Sequence, residues 1–283
     1  MKPLPGYVLP LSLVIATGAL AASLAGLLWE GLYAREHASL AAQAVGQDIV
    51  TLSVAVPMLV IASLAAARGS ARARLISLGL YAYFLYTYFQ YTVLTVYNTL
   101  FLLYVLTYSG ALVLLITVVV SVPLAGLTGL FRPMPFRRAL GLFLICAGTL
   151  LGLLWLGLIV PSLVAGTRPA LLEDQVSQSL VVQSMDLGLL IPAAVIGGIS
   201  VLRDKPLGYL LAAIVLTKVV TLGAAIVSMI VIMTLRGVPV SAVQVILFVS
   251  LDALGLYFAV RFFLSVHPAG AAEPRPQDAG HQL

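Results

Sequence analysis

Residues Ile214–Gly223 read IVLTKVVTLG, and nine of these ten residues suit the hydrocarbon interior of a bilayer. The exception is Lys218, whose side chain normally carries a full charge. The stretch lies inside an apolar run, 207–235, which exceeds the roughly 20 residues that a helix needs to cross a membrane. This run therefore predicts a transmembrane helix, and Lys218 raises the question of which group compensates for its burial.

The composition of the whole chain supports a membrane protein. Of its 283 residues, 61% are hydrophobic and only 9% are charged, whereas soluble domains contain about 25% charged residues. So few charges cannot form a water-facing shell, and the lipid bilayer is the expected partner of most of the surface. The net charge of +5 comes from Lys and Arg in short loops between apolar segments. This placement indicates orientation in a membrane and argues against nucleic acid binding.

Eight apolar segments are long enough to span a bilayer. They cover residues 7–29, 49–67, 75–95, 99–123, 139–160, 180–202, 207–235 and 239–264. The predicted fold class is an all-α integral membrane protein, with a bundle of about eight transmembrane helices forming one domain over residues 1–266. The remaining residues, 267–283, are rich in Pro, Ala and Gly and are predicted to be a disordered cytoplasmic tail.

Three loops carry most of the basic residues, and they follow the second, fourth and sixth segments. These residues are Arg68, Arg72 and Arg74 in the first loop, Arg132, Arg137 and Arg138 in the second, and Arg203 and Lys205 in the third. Loops that follow even-numbered segments lie on one side, and an excess of Lys and Arg marks that side as cytoplasmic. We therefore expect a multi-pass protein, in the cytoplasmic membrane if the source is bacterial, with both termini in the cytoplasm.

Two stretches of the chain resemble each other. Residues 57–68, PMLVIASLAAAR, align without a gap with residues 192–203, PAAVIGGISVLR, and share Pro, Val, Ile and Arg at four positions. An even number of segments separates the two stretches, so they have the same orientation. The alignment predicts two parallel four-helix repeats, 1–124 and 139–266. Four matches among twelve residues of low complexity are equally compatible with chance.

Lys218 and Asp252 are the first candidates for a functional site. Lys218 is predicted near the midplane of the bilayer, where a charged side chain costs about 2.5–3.5 kcal/mol. Asp252 lies in the next segment and reaches a similar depth, because the two segments form an antiparallel hairpin. We therefore expect the two side chains to pair. The pair would serve either as a structural salt bridge or as a site for a substrate, an ion or a proton.

Two further acidic residues, Asp48 and Asp186, are placed toward the outer ends of their segments. Together with Glu36 and His37 they would form an outer vestibule that attracts cations. Alternatively, an aspartate near a helix N-terminus simply complements the helix dipole.

Tyr86 and Gln90 lie in a tyrosine-rich stretch, 81–110, that holds eight of the twelve tyrosines. Buried hydroxyl groups require partners. We expect these side chains either to line a cavity or to form hydrogen bonds between helices.

The scarcity of metal-binding and redox residues excludes several kinds of enzyme. The three histidines are His37, His267 and His281, and the single cysteine is Cys146. These positions argue against a bis-histidine haem, a histidine-bound catalytic metal and a Cys-x-x-Cys redox centre. No Walker or GxGxxG loop is present. The sequence therefore predicts no cofactor and no metal site.

Three classes of function remain, and the first is favoured. It is a transporter or channel-like protein for a small solute or ion, with Lys218 and Asp252 at its midplane site. The second is a non-catalytic accessory subunit or sensor in which the charge pair is structural. The third, an enzyme that uses the outer acidic residues, is the least favoured. The sequence identifies no protein partner.

Overall fold

The computed structural model describes residues 3–172 and 179–267. In these two ranges the chain is helical, and a single antiparallel bridge joins Phe131 to Val266. The α-helices are α1 (Val8–Leu28), α2 (Ala38–Val50), α3 (Val56–Ala67), α4 (Ala71–Val93), α5 (Phe101–Ser121), α6 (Arg137–Ala165), α7 (Val181–Met185), α8 (Ile191–Leu202), α9 (Pro206–Leu235) and α10 (Ala242–Ser265). Two π-helices, Thr51–Ala55 and Asp186–Leu190, join α2 to α3 and α7 to α8. The predicted tail after His267 lies outside the described residues.

Seven helical segments in the described ranges are long and apolar enough to cross a membrane. They are Val8–Leu28, Ala38–Ala67, Phe101–Ser121, Arg137–Ala165, Val181–Leu202, Pro206–Leu235 and Val245–Ser265. This result confirms an α-helical protein of the multi-pass membrane type. The remaining predicted segment corresponds to α4, which forms a helix of 23 residues but is less apolar because it contains two arginines and five tyrosines.

The second segment begins earlier than the sequence predicted. Its helix starts at Ala38, with the His37 side chain accepting a hydrogen bond from the Ser39 amide, and not at residue 49. The stretch before Asp48 is rich in alanine and contains two glutamines, so its apolarity is low. It is nevertheless helical because it packs closely against α9.

Helices α4 and α9 form the centre of the bundle and contact each other directly. A Cβ atom at Gly79 of α4 would overlap the side chain of Thr217 on α9. At Gly46 of α2, a Cβ atom would lie only 2.5 Å from the Cα atom of Met229 on α9. Small residues permit such close approach of helices, which is how helices associate in membranes without a hydrophobic driving force.

The three basic loops meet at one end of the bundle, which we call the basic end. The Arg72 guanidinium donates to the Val266 carbonyl over 2.9 Å, and Val266 pairs with Phe131 in the second basic loop. In turn, Arg137 forms a salt bridge of 2.5 Å with Asp204 in the third loop. The sequence expectation that these loops share a side agrees with this arrangement.

Loops at the opposite end are also tied together. Arg35, in the loop before α2, donates to the Tyr97 carbonyl over 2.8 Å. The Val96 amide donates to the Glu36 carboxylate over 2.7 Å. Helix α4 therefore runs from the basic end to the opposite end.

The two π-helices occupy equivalent positions in the predicted repeat. The gapless alignment of Pro57 with Pro192 also places Thr51–Ala55 over Asp186–Leu190. Each π-helix ends two residues before its proline. Proline lacks an N–H group and its ring crowds the carbonyl four residues earlier, so the preceding turn must widen or kink.

The correspondence continues through the following turn. Helices α3 and α8 end at equivalent residues, and their caps Arg68 and Arg203 have φ, ψ of −84°, 9° and −86°, 5°. The residue before the next helix donates to the carbonyl five residues earlier, over 3.1 Å for Ser70 and 2.8 Å for Lys205. Equivalent packing is also present: α1 contacts α3 as α6 contacts α8, and α4 contacts α5 as α9 contacts α10.

The close contact between α2 and α9 yields a prediction for stability. We expect Gly46→Ala to lower the free energy of unfolding by about 1–3 kcal/mol, because the backbone of Met229 must shift. Gly157→Ala is the matched control, since no atom lies within 4 Å of a Cβ at that helical position. Thermal unfolding of both variants in detergent micelles tests this. Equal transition temperatures for the two variants would contradict the packing described.

Candidate functional site

The Lys218 side chain lies between the two central helices, α4 and α9. Only 5% of the residue is exposed, and its Nζ atom has no hydrogen-bond partner in the part of the chain that the structure describes. The Nζ atom lies 3.2 Å from the centre of the Tyr86 ring. An ammonium group over the face of an aromatic ring is attracted to the ring quadrupole. This contact partly compensates for lost hydration but satisfies none of the three donors of the ammonium group.

Asp186, the first residue of the second π-helix, is buried beside this contact. Its Oδ1 atom accepts a hydrogen bond of 2.7 Å from the Tyr86 hydroxyl, and its Oδ2 atom accepts one of 3.0 Å from the Trp155 indole. Asp186 also attracts Lys218 electrostatically. The four side chains come from α4, α6, the π-helix and α9, and we call them the Lys218 cluster.

The predicted pairing of Lys218 with Asp252 is wrong. The described residues contain no salt bridge between them, and the buried Oδ1 atom of Asp252 has no hydrogen-bond partner. The Asp252 carboxylate instead packs against the backbone at Gly223. Gly223 is five residues after Lys218, so the two positions are about 140° apart around α9 at 100° per residue. The two side chains lie at a similar predicted depth in the bilayer, but Asp252 packs on a different face of α9 from the one that carries Lys218.

Lys218 and Tyr86 line a cavity of about 210 Å³. The rest of its wall is apolar and comes mainly from α4, α9 and the segment around the second π-helix. It includes Ala82, Leu85, Leu115, Met185, Leu190 and Ile214. Asp252 lines a different cavity, of about 90 Å³, between α6, α8, α9 and α10. The Lys218 cavity therefore offers one cationic group and an aromatic ring in an otherwise apolar space.

Asp48 belongs to a second buried cluster, between α1, α2 and α4. It is fully buried and accepts hydrogen bonds of 2.7 Å from Tyr33 and 3.2 Å from Tyr91. Asp48 is the eleventh residue of α2, so the expectation that it complements a helix N-terminus is wrong. At Gly26 of α1 a Cβ atom would overlap the carboxylate, so glycine is required for this contact.

The predicted outer vestibule does not form. Asp48 and Asp186 lie in different clusters, and neither is exposed by more than 4%. Glu36 binds the Val96 amide, and partial burial raises its pKa. His37 caps α2. No group of three or more potential metal-binding His, Cys, Asp or Glu residues occurs in the described ranges.

Gln90 lies one turn after Tyr86 on α4. Its Nε2 atom is buried and forms no hydrogen bond within the described ranges. Gln90 is thus an unsatisfied polar group on the tyrosine-rich helix, but it does not line the Lys218 cavity.

The first half of the chain contains a neutral counterpart of the Lys218 cluster. The alignment that matches the two prolines places Thr51 over Asp186 and Tyr83 over Lys218. The hydroxyls of Thr51 and Tyr83 form a hydrogen bond of 2.8 Å, and Gln47 also donates to Tyr83. Equivalent positions therefore hold polar partners in both halves, with charges only in the second.

Trp155 is the member of the cluster that the sequence did not suggest. It lies in the middle of α6, in an apolar stretch without another polar side chain nearby. The π-helices were also unforeseen, although the repeated prolines mark their positions. In the sequence, the π-helices are indicated only by two prolines that lie at equivalent places inside long apolar segments.

No family model matches this chain, and neither the curated proteins nor the solved structures contain a match.

The geometry predicts which acidic residue is energetically coupled to Lys218. In a double-mutant cycle, Lys218→Met and Asp186→Asn should show a coupling energy of about 0.5–3 kcal/mol, because they remove one shared charge network. Lys218→Met and Asp252→Asn should be additive within about 0.5 kcal/mol. Chemical unfolding of the six proteins in detergent micelles measures both cycles. Coupling to Asp252 without coupling to Asp186 would show that the described arrangement is wrong.

Proposed function

We propose that α4 is an eighth membrane span and that the basic end faces the cytoplasm. Helix α4 has 23 residues, about 34 Å at 1.5 Å per residue, which matches the thickness of a bilayer core. The loops at its two ends belong to opposite ends of the bundle. The excess of arginine at one end then fixes the orientation, with both termini inside.

Cysteines at Arg68 and Tyr97 test this topology, because both residues are exposed and they flank α4. The background is Cys146→Ala, which removes the single native thiol. We expect a membrane-impermeant thiol reagent to label Tyr97→Cys from outside sealed cells and Arg68→Cys only after the inner face is exposed. Labelling of both from the same side would show that α4 does not cross.

We propose further that the protein is a transporter or channel-like protein for a small solute, with the Lys218 cluster as its binding site. The observation that carries this proposal is the buried ammonium group of Lys218, which has no hydrogen-bond acceptor within the described ranges and lines a cavity. A charged side chain in a membrane interior is costly, and such residues usually mark paths for substrates or ions. An anionic group in the cavity would supply the missing acceptor.

The size and lining of the cavity limit the ligand. A cavity of about 210 Å³ is smaller than the roughly 300–1,000 Å³ of drug-sized pockets. Its wall is apolar apart from Lys218 and the Tyr86 ring. The solute that suits this space is a small anion, such as a short carboxylate.

The π-helices support a site at this position. A π-helix inside an α-helix often occurs at functional sites, because it shifts the register of the side chains that follow. Asp186 and its counterpart Thr51 each begin such a helix. We propose that the halves, 1–124 and 139–266, are parallel repeats and that charged groups occupy only the second of two equivalent sites.

A non-catalytic accessory subunit or sensor is the second candidate. The observation in its favour is that Asp186 already has two good donors, Tyr86 and Trp155. In that case the Lys218 cluster only fastens α4, α6 and α9 together. An enzyme that uses the outer acidic residues receives no support, since Asp48 and Asp186 are buried apart.

Access of water to Lys218 distinguishes the two candidates. In the Cys146→Ala background, we expect Lys218→Cys to react with a charged, membrane-impermeant methanethiosulfonate in proteoliposomes, because a transport path must reach its binding site. A structural cluster in a closed bundle predicts no reaction until the protein is unfolded.

Two control positions calibrate this measurement. Lys205→Cys, in the exposed third basic loop, should react rapidly. Ala213→Cys, fully buried in the same helix as Lys218, should not react in the folded protein. If Lys218→Cys is as unreactive as Ala213→Cys, the transporter proposal is wrong and the structural role is favoured.

A further inference from the structure

A pocket of about 540 Å³ opens at the basic end, between the loop before α6 and the turn before α9. Its wall contains three arginines and one carboxylate, namely Arg132, Arg137, Arg138 and Asp204, together with Tyr209. The pocket is separate from the cavity that contains Lys218, and the proposed function makes no use of it.

The loop that forms this pocket is held in place by its neighbours. The Arg132 amide donates to the Ser265 carbonyl over 2.8 Å, and the His267 amide donates to the Leu130 carbonyl over 2.8 Å. The Phe131 ring packs on Tyr209, with ring centres 4.8 Å apart. Because these contacts anchor the backbone on both sides of Phe131, directly before Arg132, the pocket is preformed.

The charges in the pocket do not cancel. Arg137 forms the salt bridge with Asp204, which also accepts a hydrogen bond of 2.5 Å from Tyr209. The Arg137 guanidinium lowers the pKa of Asp204, so this carboxylate stays ionised. Arg132 and Arg138 form no salt bridge in the described ranges and are exposed. The pocket therefore carries an excess of two positive charges.

The position of the arginines in the fold adds to this excess. Arg137 and Arg138 are the first two residues of α6, where the helix dipole favours anions and disfavours cations. Two guanidinium groups without a salt bridge in the described ranges and a helix N-terminus thus converge on one preformed space. Guanidinium groups match the oxygens of phosphate in paired hydrogen bonds.

We propose that this pocket binds a phosphate-bearing anion, and that the source is the headgroup of an anionic phospholipid. The pocket lies at the ends of the apolar helices, which is the depth of lipid headgroups in a bilayer. Exposed apolar side chains in the first two turns of α6 and α9, Leu142 and Leu207, would contact the acyl chains. A soluble phosphate is the other source with the same chemistry.

The test uses the full chain in detergent micelles, titrated with dioctanoyl phosphatidic acid and followed by native mass spectrometry. The variant Arg132→Gln/Arg138→Gln should bind the lipid at least tenfold more weakly. The control Arg68→Gln/Arg203→Gln removes the same charge from exposed arginines at the same end of the bundle but outside the pocket. It should change the dissociation constant less than twofold. Equal weakening in both variants, or in neither, would overturn the proposal.

Two further measurements complete the test. Asp204→Asn should tighten binding, because it releases Arg137 to the ligand; weaker binding would count against the pocket.

Inorganic phosphate at millimolar concentration separates the two sources. If it displaces the lipid from the parent but not from the arginine variant, a soluble phosphate shares the site and the headgroup assignment is overturned. If it does not compete, the headgroup is supported. If the double variant fails to fold, the single variant Arg138→Gln replaces it and Arg68→Gln is its control. Arg138→Gln should then weaken lipid binding more than Arg68→Gln does.

Discussion

The contact between α4 and α9 is the interaction on which the rest of the structure depends. Helix α4 carries five tyrosines, and in lipid their hydroxyls would have no partners. Other helices must therefore cover this helix, and α9 approaches it closely where Thr217 meets Gly79. The same approach brings the Tyr86 ring against Lys218. Close packing of small residues and burial of polar residues are therefore two results of one contact.

Seven of the eight predicted segments correspond to long apolar helices in the described ranges, because a bilayer requires about 20 apolar residues per span. The shared end of the three basic loops followed from their parity along the chain. The start of α2 at Ala38 did not, because its alanine-rich first turns are stabilised by packing on α9 rather than by lipid. For the same reason α4 is helical and central although it is less apolar than its neighbours.

The candidate site could be predicted only in part. Lys218, Tyr86 and Asp186 were each identified as polar residues in apolar surroundings, but nothing in their spacing indicated that they meet. Depth in the bilayer can be counted from helix ends, whereas the direction of a side chain around its helix depends on the neighbours that pack there. This is why Asp252 was wrongly paired with Lys218. Trp155 could not be found, because a lone tryptophan in an apolar helix usually faces lipid or the core.

The hydrogen bond between Trp155 and Asp186 provides the molecule with an optical probe of its own candidate site. The chain contains two tryptophans, and the other, Trp29, is half exposed at the opposite end of the bundle. Replacing Trp29 would leave one indole, in direct contact with the carboxylate that neighbours Lys218. The emission of an indole shifts with the electric field at its ring. Any event that changes the charge around Asp186 would then shift the wavelength of this emission, and no added label would be needed.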